Sequence, residues 1–393
     1  MLVTRSKGPT ASSLKAPYLV ALTLVTGLAA CVPSGTLRWS LGDEGDLGRG
    51  GVDSSIDVAP DGETVIVMHE LHDDEGVARV LRVLDGDGNP RWERRTESGT
   101  ERSYTAFMLT PTNEIWVACT TSAGALCIER VSLDGSSLGM TEFTELSGAP
   151  AMRFFDWGAE KAHLAGFDFD TYTGLSLIIA DVAANGTIEG VREYPELEIP
   201  LDIAFQANGE AYGLFATSGE NGEGVMLVSL QSDGSYAMLV EFDDVFAKPA
   251  DGALALDEEL GALYVTYGAL SRESDITTKR LSLAGEQRWE ARYDGLANRS
   301  DAPRGLAAIP GAGVVVVGAV TDRIGNLDRD GWVGVYNADG ELSWEMLVDN
   351  DGLQKTQDRL SGVAVDEHGD VFVIGELAIQ DGLGLTWVGR FAG

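Results

Sequence analysis

The chain has 393 residues, with 62 acidic against 28 basic side chains and a formal net charge of −34. That balance excludes a nucleic-acid-binding surface, which needs clustered Lys and Arg against phosphates, and it opposes direct docking on anionic lipid heads. Forty-nine glycines punctuate short runs of aromatic and β-branched residues, the pattern of an all-β repeat protein, and no stretch beyond residue 30 is long and apolar enough to span a membrane as a helix.

Residues 1–30 differ from the rest. They carry Arg5, Lys7 and Lys15 and no acidic residue, then an apolar run over 16–28 and the small residues Ala29 and Ala30 before Cys31. A basic start, a short apolar stretch and small residues at its end predict a secretory signal peptide over 1–30 rather than a buried N-terminal helix. Leu28-Ala29-Ala30-Cys31 resembles the lipobox of bacterial lipoproteins. The resemblance implies cleavage before Cys31, a diacylglycerol on its sulfur and an acyl chain, such as palmitate, on the new N-terminus. Each buried CH₂ contributes about 0.8 kcal/mol, so several chains together anchor where one holds only marginally. Val32 in place of Asp at the second mature position fits outer-membrane sorting. Without 1–30 the chain keeps 25 basic residues against 62 acidic ones, a net charge of −37. Residues 31–35 are then a lipidated N-terminus and short tether, and 36–393 the folded domain.

A glycine opens the same short strand seven times, at Gly35, Gly88, Gly135, Gly186, Gly234, Gly285 and Gly340, with spacings of 53, 47, 51, 48, 51 and 55 residues. Four copies end in Trp four residues on: Trp39, Trp92, Trp289 and Trp344. Each unit reads as four strands. The last has strands over 359–369, 370–377 and 385–393; the one before it has 306–313, 314–320, 331–340 and 341–347. Trp332-Val333-Gly334 and Trp387-Val388-Gly389 support the alignment. Repeats of this length predict a seven-bladed β-propeller of four-stranded antiparallel blades. The final unit lacks its fourth strand, and the orphan strand around Leu37 and Trp39 is available to close the ring. A linear β-solenoid is the alternative fold and has no need of that strand. The tryptophans are expected between blades. Gly139, Gly190 and Met238 stand at the Trp position of the middle units, which are expected to pack less fully there.

Strand alternation places the links between first and second strands, and between third and fourth, on one face; these are short. The second-to-third and inter-blade links emerge on the other face and include longer stretches such as 71–77, 293–305, 321–331 and 348–362. The expectation is one plain face and one acidic, loop-rich face, where binding on a rigid scaffold usually resides. The segment 114–131 reads as a hairpin around Ala123 that sets Cys119 opposite Cys127. In an exported protein this predicts a disulfide contributing about 2–3 kcal/mol; two neighbouring buried thiols are the alternative.

Asn326, Asp328 and Asp330 ahead of Gly331 resemble the start of a calcium loop, in which alternate oxygens suit a hard cation. Calcium is therefore the candidate cofactor, weighed against a solvated polar turn. Asp85, Asp87 and Asn89 make a weaker version. His69 and His72, three apart, fall on opposite faces of a continuing strand and could share a metal only if the chain turned between them. The sequence carries no Gly-x-Ser-x-Gly, no His-Glu-x-x-His and no phosphate loop.

Through its Gly-x-x-x-Trp ends and Asp-Gly turns the chain resembles bacterial lipoproteins with PQQ-like propeller repeats, over 36–393. It is more distantly similar to the propeller lipoprotein of the outer-membrane β-barrel assembly machine. The resemblance implies a lipid-anchored protein of the bacterial cell envelope, at the outer membrane, acting as a non-enzymatic binding or protein–protein scaffold with an envelope protein or glycan partner. A polysaccharide-binding or polysaccharide-cleaving propeller is the first alternative. A quinoprotein-type oxidoreductase is the second, but that family's vicinal cysteine pair is missing here.

Overall fold

A computed structural model describes residues 2–4, 34–41, 49–73, 76–97, 102–123, 125–143, 151–157, 161–170, 174–195, 197, 200–219, 222–242, 251–268, 275–295, 301–321, 329–349, 357–378 and 384–393. The segment 1–30 expected to be a signal peptide, apart from the backbone of 2–4, and Cys31 lie outside the described residues. So do Asn326 and Asp328 and most of the longer links.

Blade 1 consists of Arg49–Val58, Thr64–Asp73, Gly76–Asp85 and Pro90–Glu97. Blade 2 is Arg102–Leu109, Glu114–Thr121, Leu126–Ser132 and Ser137–Phe143; blade 3 is Ala151–Trp157, Lys161–Asp170, Gly174–Ala183 and Ile188–Pro195. Blade 4 is Pro200–Phe205, Ala211–Gly219, Gly222–Leu230 and Tyr236–Phe242; blade 5 is Asp251–Asp257, Ala262–Gly268, Ile276–Ser282 and Gln287–Tyr293. Blade 6 is Ala302–Ile309, Gly313–Val320, Asp330–Asn337 and Leu342–Val348, with Leu2–Thr4 added antiparallel on its outer edge. Blade 7 is Arg359–Val365, Val371–Ala378 and Gly384–Phe391, and Leu37–Leu41 supplies its outer strand, Leu37 opposite Phe391 and Trp39 opposite Arg390. Pairing within every blade is antiparallel in chain order. Each innermost strand contacts the next around the ring, and that of blade 7 contacts that of blade 1. The protein is a seven-bladed β-propeller closed by its N-terminal strand.

The core lies between blades. The described residues form seven apolar clusters, one per inter-blade gap, so the gap that closes the ring is filled like the others. In that gap Val58, Val65, Val67 and Leu84 of blade 1 meet Phe372, Ile374 and Val388 of blade 7, with Trp39 against them. Carboxylates staple the innermost strands. Asp57 accepts from its own neighbour Val58 N and from Leu109 N of blade 2, each at 2.8 Å. Asp202 does the same with Ile203 N and Leu254 N of blade 5.

The repeated glycine has a specific task. The third strand ends in a type I turn whose glycine takes a positive φ, 86° at Gly88, and Gly88 N donates to Asp85 O at 2.9 Å. In six blades the third residue after that glycine is a bulge, for example Arg91, Arg288 and Arg38. The bulge turns the following position toward the next blade. There the indole lies flat on the next turn. A Cβ at Gly88 would stand 2.8 Å from the Trp39 ring; Gly135, Gly340 and Gly35 receive Trp92, Trp289 and Trp344 in the same way. Trp39 Nε1 donates to Gly86 O at 2.8 Å, Trp92 Nε1 to Leu133 O at 2.7 Å and Trp289 Nε1 to Ala338 O at 3.0 Å, each acceptor two residues before the covered glycine. Blade 4 departs: its bulge falls at Leu239, five residues after Gly234, and Met238 is left 58% exposed.

One expected loop is not a loop. Within 71–77 the second strand of blade 1 runs to Asp73 and the third restarts at Gly76, with Leu71, His72 and Asp73 paired to Ala78, Val77 and Gly76. The ladder satisfies these backbone groups better than an open loop does.

Candidate functional site

The strongest cluster of ligating groups among the described residues sits where blades 6 and 7 meet. Asp330 opens the third strand of blade 6, Asp349 follows its outer strand and Asp358 precedes the innermost strand of blade 7. Their carboxylate oxygens all lie within 4.8 Å of one another. Asp330 and Asp358 are buried and Asp349 is nearly so. The backbone fixes the geometry: Asp358 N donates to Arg329 O at 2.8 Å, and Asp358 Oδ1 accepts from Ala378 N at 2.6 Å. Three carboxylates converging from separate strand ends can hold a hard cation through oxygen. Of the expected set Asn326, Asp328 and Asp330, the structure places Asp330 in this cluster. Asp349 and Asp358, far along the chain, are the partners that local spacing misses.

A readable signal exists one blade earlier. Asp275, Asp294 and Asp301 hold the corresponding places in blades 5 and 6. Asp301 Oδ2 accepts from Gly295 N at 2.7 Å and Oδ1 from Thr321 N at 2.8 Å. Burial, with Asp294 and Asp275 adding their charge, pushes the Asp301 carboxyl up to about 6 against those two donors. The Asp275 carboxyl is also raised, first by burial and then by Asp294.

The remaining singled-out residues have structural surroundings. A disulfide links Cys119 and Cys127, which face each other on the second and third strands of blade 2 with Cα atoms 4.9 Å apart. Asp85 Oδ1 accepts from Asp87 N at 3.0 Å and Asn89 N at 2.7 Å, so this carboxylate serves its own turn. His69 is fully buried, its Nδ1 3.2 Å from Thr386 Oγ1 of blade 7; burial, then Arg82, lowers its pKa to about 4. The strand continues past His72, so the two histidines fall on opposite faces. His163 stacks on Phe205 of blade 4 and contacts Asp181 at 2.8 Å. Asp181 also receives Lys161 and Arg192, and its carboxyl is held well below the usual range, burial opposing these partners.

No protein-family model matches the chain, and no curated protein matches it. Solved propellers do. The WD40 domain of Toxoplasma gondii coronin superposes with a TM-score of 0.52 at 10% identity, over 92% of this chain and 89% of that one. The β-propeller domain of the trilobed protease from Pyrococcus furiosus, described as having an open velcro topology, gives 0.52 at 14%, over 87% and 97%. Chaetomium thermophilum Sqt1 bound to the N-terminus of the ribosomal protein L10 gives 0.51 at 14%, over 87% and 97%. At these identities the likeness establishes the fold.

Proposed function

We propose that the protein is a lipid-anchored scaffold of the bacterial cell envelope, at the outer membrane, that binds an envelope protein or glycan without catalysing a reaction. The observation that carries the reading is the position of the closing strand. Gly35 N donates to Ala392 O, Ala392 N to Thr36 O and Ser34 Oγ to Gly393 O, so the ring begins three residues after Cys31. An acyl anchor on Cys31 therefore leaves almost no tether. Blade 7 is held against the membrane, and partners must come to the membrane surface. The protein-binding part is supported by the rigid propeller and by Sqt1, a propeller of similar fold captured with a ribosomal protein segment. Radiolabelled palmitate is expected to enter the wild type and not Cys31→Ala; equal labelling refutes the anchor. Photo-crosslinking in cells is expected to recover a discrete envelope partner, and recovery of none refutes the scaffold.

A second reading concerns the cation. Convergence of Asp330, Asp349 and Asp358 favours calcium as a structural ion at the junction of blades 6 and 7. Calcium is then expected to raise the melting temperature of the wild type and not of Asp349→Asn. A flat titration removes the ion.

A further inference from the structure

The outer edge of blade 4 differs from its counterparts in two respects. Its delayed bulge leaves Tyr236 and Met238 on the side facing blade 3, where both are exposed, and turns Leu239 onto Gly285 of blade 5. Between blades 4 and 5 a groove of about 340 Å³ remains, half apolar through Val240, Phe242 and Leu281 and half polar through Glu241 and Arg292, with Lys279 tied to Glu290 at 3.2 Å and lying over the Phe242 ring. The strand is uncharged from Tyr236 to Val240, a feature it shares with Ser137–Thr141 of blade 2, whereas blade 1 carries Arg91, Glu93, Arg94 and Arg95 on its outer strand and blade 5 carries Arg288, Glu290 and Arg292. Charges of that kind guard an edge against pairing. Here the charges stand only at the ends: Asp233 in the turn before the strand and Glu241 near its far end, both exposed.

We propose that this edge is a docking site for an extended segment of a partner protein with uncharged, strand-forming residues at its centre and Lys or Arg at its two ends. The segment pairs antiparallel with Tyr236–Phe242. One row of its side chains covers Tyr236 and Met238, and the other enters the groove against blade 5. Its basic ends meet Asp233 and Glu241, a charge match reinforced by the net charge of −34. In the uncleaved chain Leu2–Thr4 pair with Met346–Val348 of blade 6, so an outer edge of this ring can take a strand. Among the described residues the blade 4 edge is paired on its inner side alone. This inference rests on the protein-binding reading and deepens it.

The test uses a fluorescein-labelled nine-residue peptide of alternating Val and Thr with Lys at both ends, titrated by anisotropy into the folded protein. Saturable binding is expected, at least tenfold weaker when the ends are Glu. Met238→Lys is expected to weaken it at least tenfold, while Val191→Lys, an identical charge change at an exposed position of the charged outer strand of blade 3, leaves it unchanged. Both positions are exposed, so both variants are expected to fold. Absence of saturable binding, equal affinity for the Lys-ended and Glu-ended peptides, or equal loss in the two variants overturns the site. A cellular partner whose crosslinks map to another face, with no peptide binding here, removes this site and leaves the scaffold reading standing.

Discussion

Removing the Asp370 carboxylate should loosen the ring at its closure. Asp370 starts from the turn before the second strand of blade 7 and holds three other parts of the blade. Its Oδ2 accepts from Arg390 Nη2 at 2.8 Å and Nε at 3.0 Å, and its Oδ1 from Arg38 Nη2 at 3.0 Å and Gly393 N at 3.2 Å. Arg390 in turn reaches blade 1, donating Nη1 to Gly86 O at 2.8 Å, with its guanidinium 4.9 Å over the Phe372 ring. In Asp370→Ala this arginine stays in place with its main counter-charge gone; Asp366 Oδ2 stands 3.5 Å away. Stranding one member of a buried pair costs about 3–5 kcal/mol. The matched control is Glu286→Ala, which removes the partner of Arg288 from a pair more than half exposed on both sides and is worth about 0–1 kcal/mol. Urea denaturation followed by tryptophan fluorescence reads both, and Trp39 at the closure reports on blade 7. The expected order is a large fall in midpoint for Asp370→Ala, a smaller one for Asp370→Asn, which retains an acceptor, and almost none for Glu286→Ala. Equal midpoints for Asp370→Ala and Glu286→Ala would refute the claim that this network latches the ring.

Three further outcomes follow from the same geometry. Trp39→Ala loses the indole on Gly88 and the bond to Gly86 O, a change of about 3 kcal/mol for a ring of this size; Met238→Ala, on an exposed side chain, should shift the melting temperature little, and a comparable shift in both would contradict the asymmetry. Reducing the Cys119–Cys127 disulfide should lower wild-type stability by about 2–3 kcal/mol and leave the double variant Cys119→Ala, Cys127→Ala insensitive to reductant. The pH profile separates two buried groups of opposite sign. Asp202 keeps some accessible surface, but its carboxylate lies deep against blade 5, and burial pushes it up to about 7 against the Leu254 and Ile203 N–H donors. The folded chain thus holds that proton more tightly than the unfolded one, where the value is 3.8. Its contribution is fully present below about 4 and is lost as pH rises through about 7. His69, lowered from 6.5 to about 4, contributes above 6.5 and loses that contribution as pH falls toward 4. Denaturation of Asp202→Asn between pH 4.5 and 8 should show a flatter fall toward high pH than the wild type; parallel profiles would show that Asp202 does not set it.

The ring was legible because its signal is covalent geometry repeated at a fixed period. A turn that needs a positive φ demands glycine, and an indole lying flat on that glycine leaves room for no Cβ. Where Trp stands four residues after such a glycine, its ring lies on the glycine of the next unit's turn, so Gly-x-x-x-Trp marks each blade that covers its neighbour with an indole. The same logic explains why the middle units read weakly. Gly139 and Gly190 carry no ring. At the next turns Gly186 is covered by Thr141 and Gly234 by the Glu193 carbonyl, while Tyr194 donates its hydroxyl to Gln231 O at 2.7 Å. These solutions keep the blade and discard the motif. Blade 4 discards the bulge position as well. A bulge has no sequence mark of its own: it is set by which side chains the third strand needs to pair, and nothing in Tyr236–Phe242 alone says that the extra residue is Leu239.

The candidate cation cluster was half legible for a different reason. A spacing argument collects ligands from one loop, and in 326–331 it finds alternate oxygens. The ring instead gathers ligands from three strand ends, 19 and 28 residues beyond Asp330, because the second-to-third link and the inter-blade link surface at the same end of the same gap. Aligning the units, rather than scanning along the chain, brings Asp275, Asp294 and Asp301 over Asp330, Asp349 and Asp358. At the earlier junction Asp301 gives both its oxygens to backbone donors, and burial, then the charges of Asp294 and Asp275, pushes its carboxyl up to about 6. Two junctions built from the same three carboxylates can thus be balanced in two ways, by protons and backbone donors at blades 5 and 6, and, on the calcium reading, by a cation at blades 6 and 7. Measuring the calcium response of Asp301→Asn beside that of Asp349→Asn distinguishes them. If the first junction is proton-balanced, Asp301→Asn keeps the full wild-type calcium shift, and loss of that shift in both variants would place the ion at both junctions.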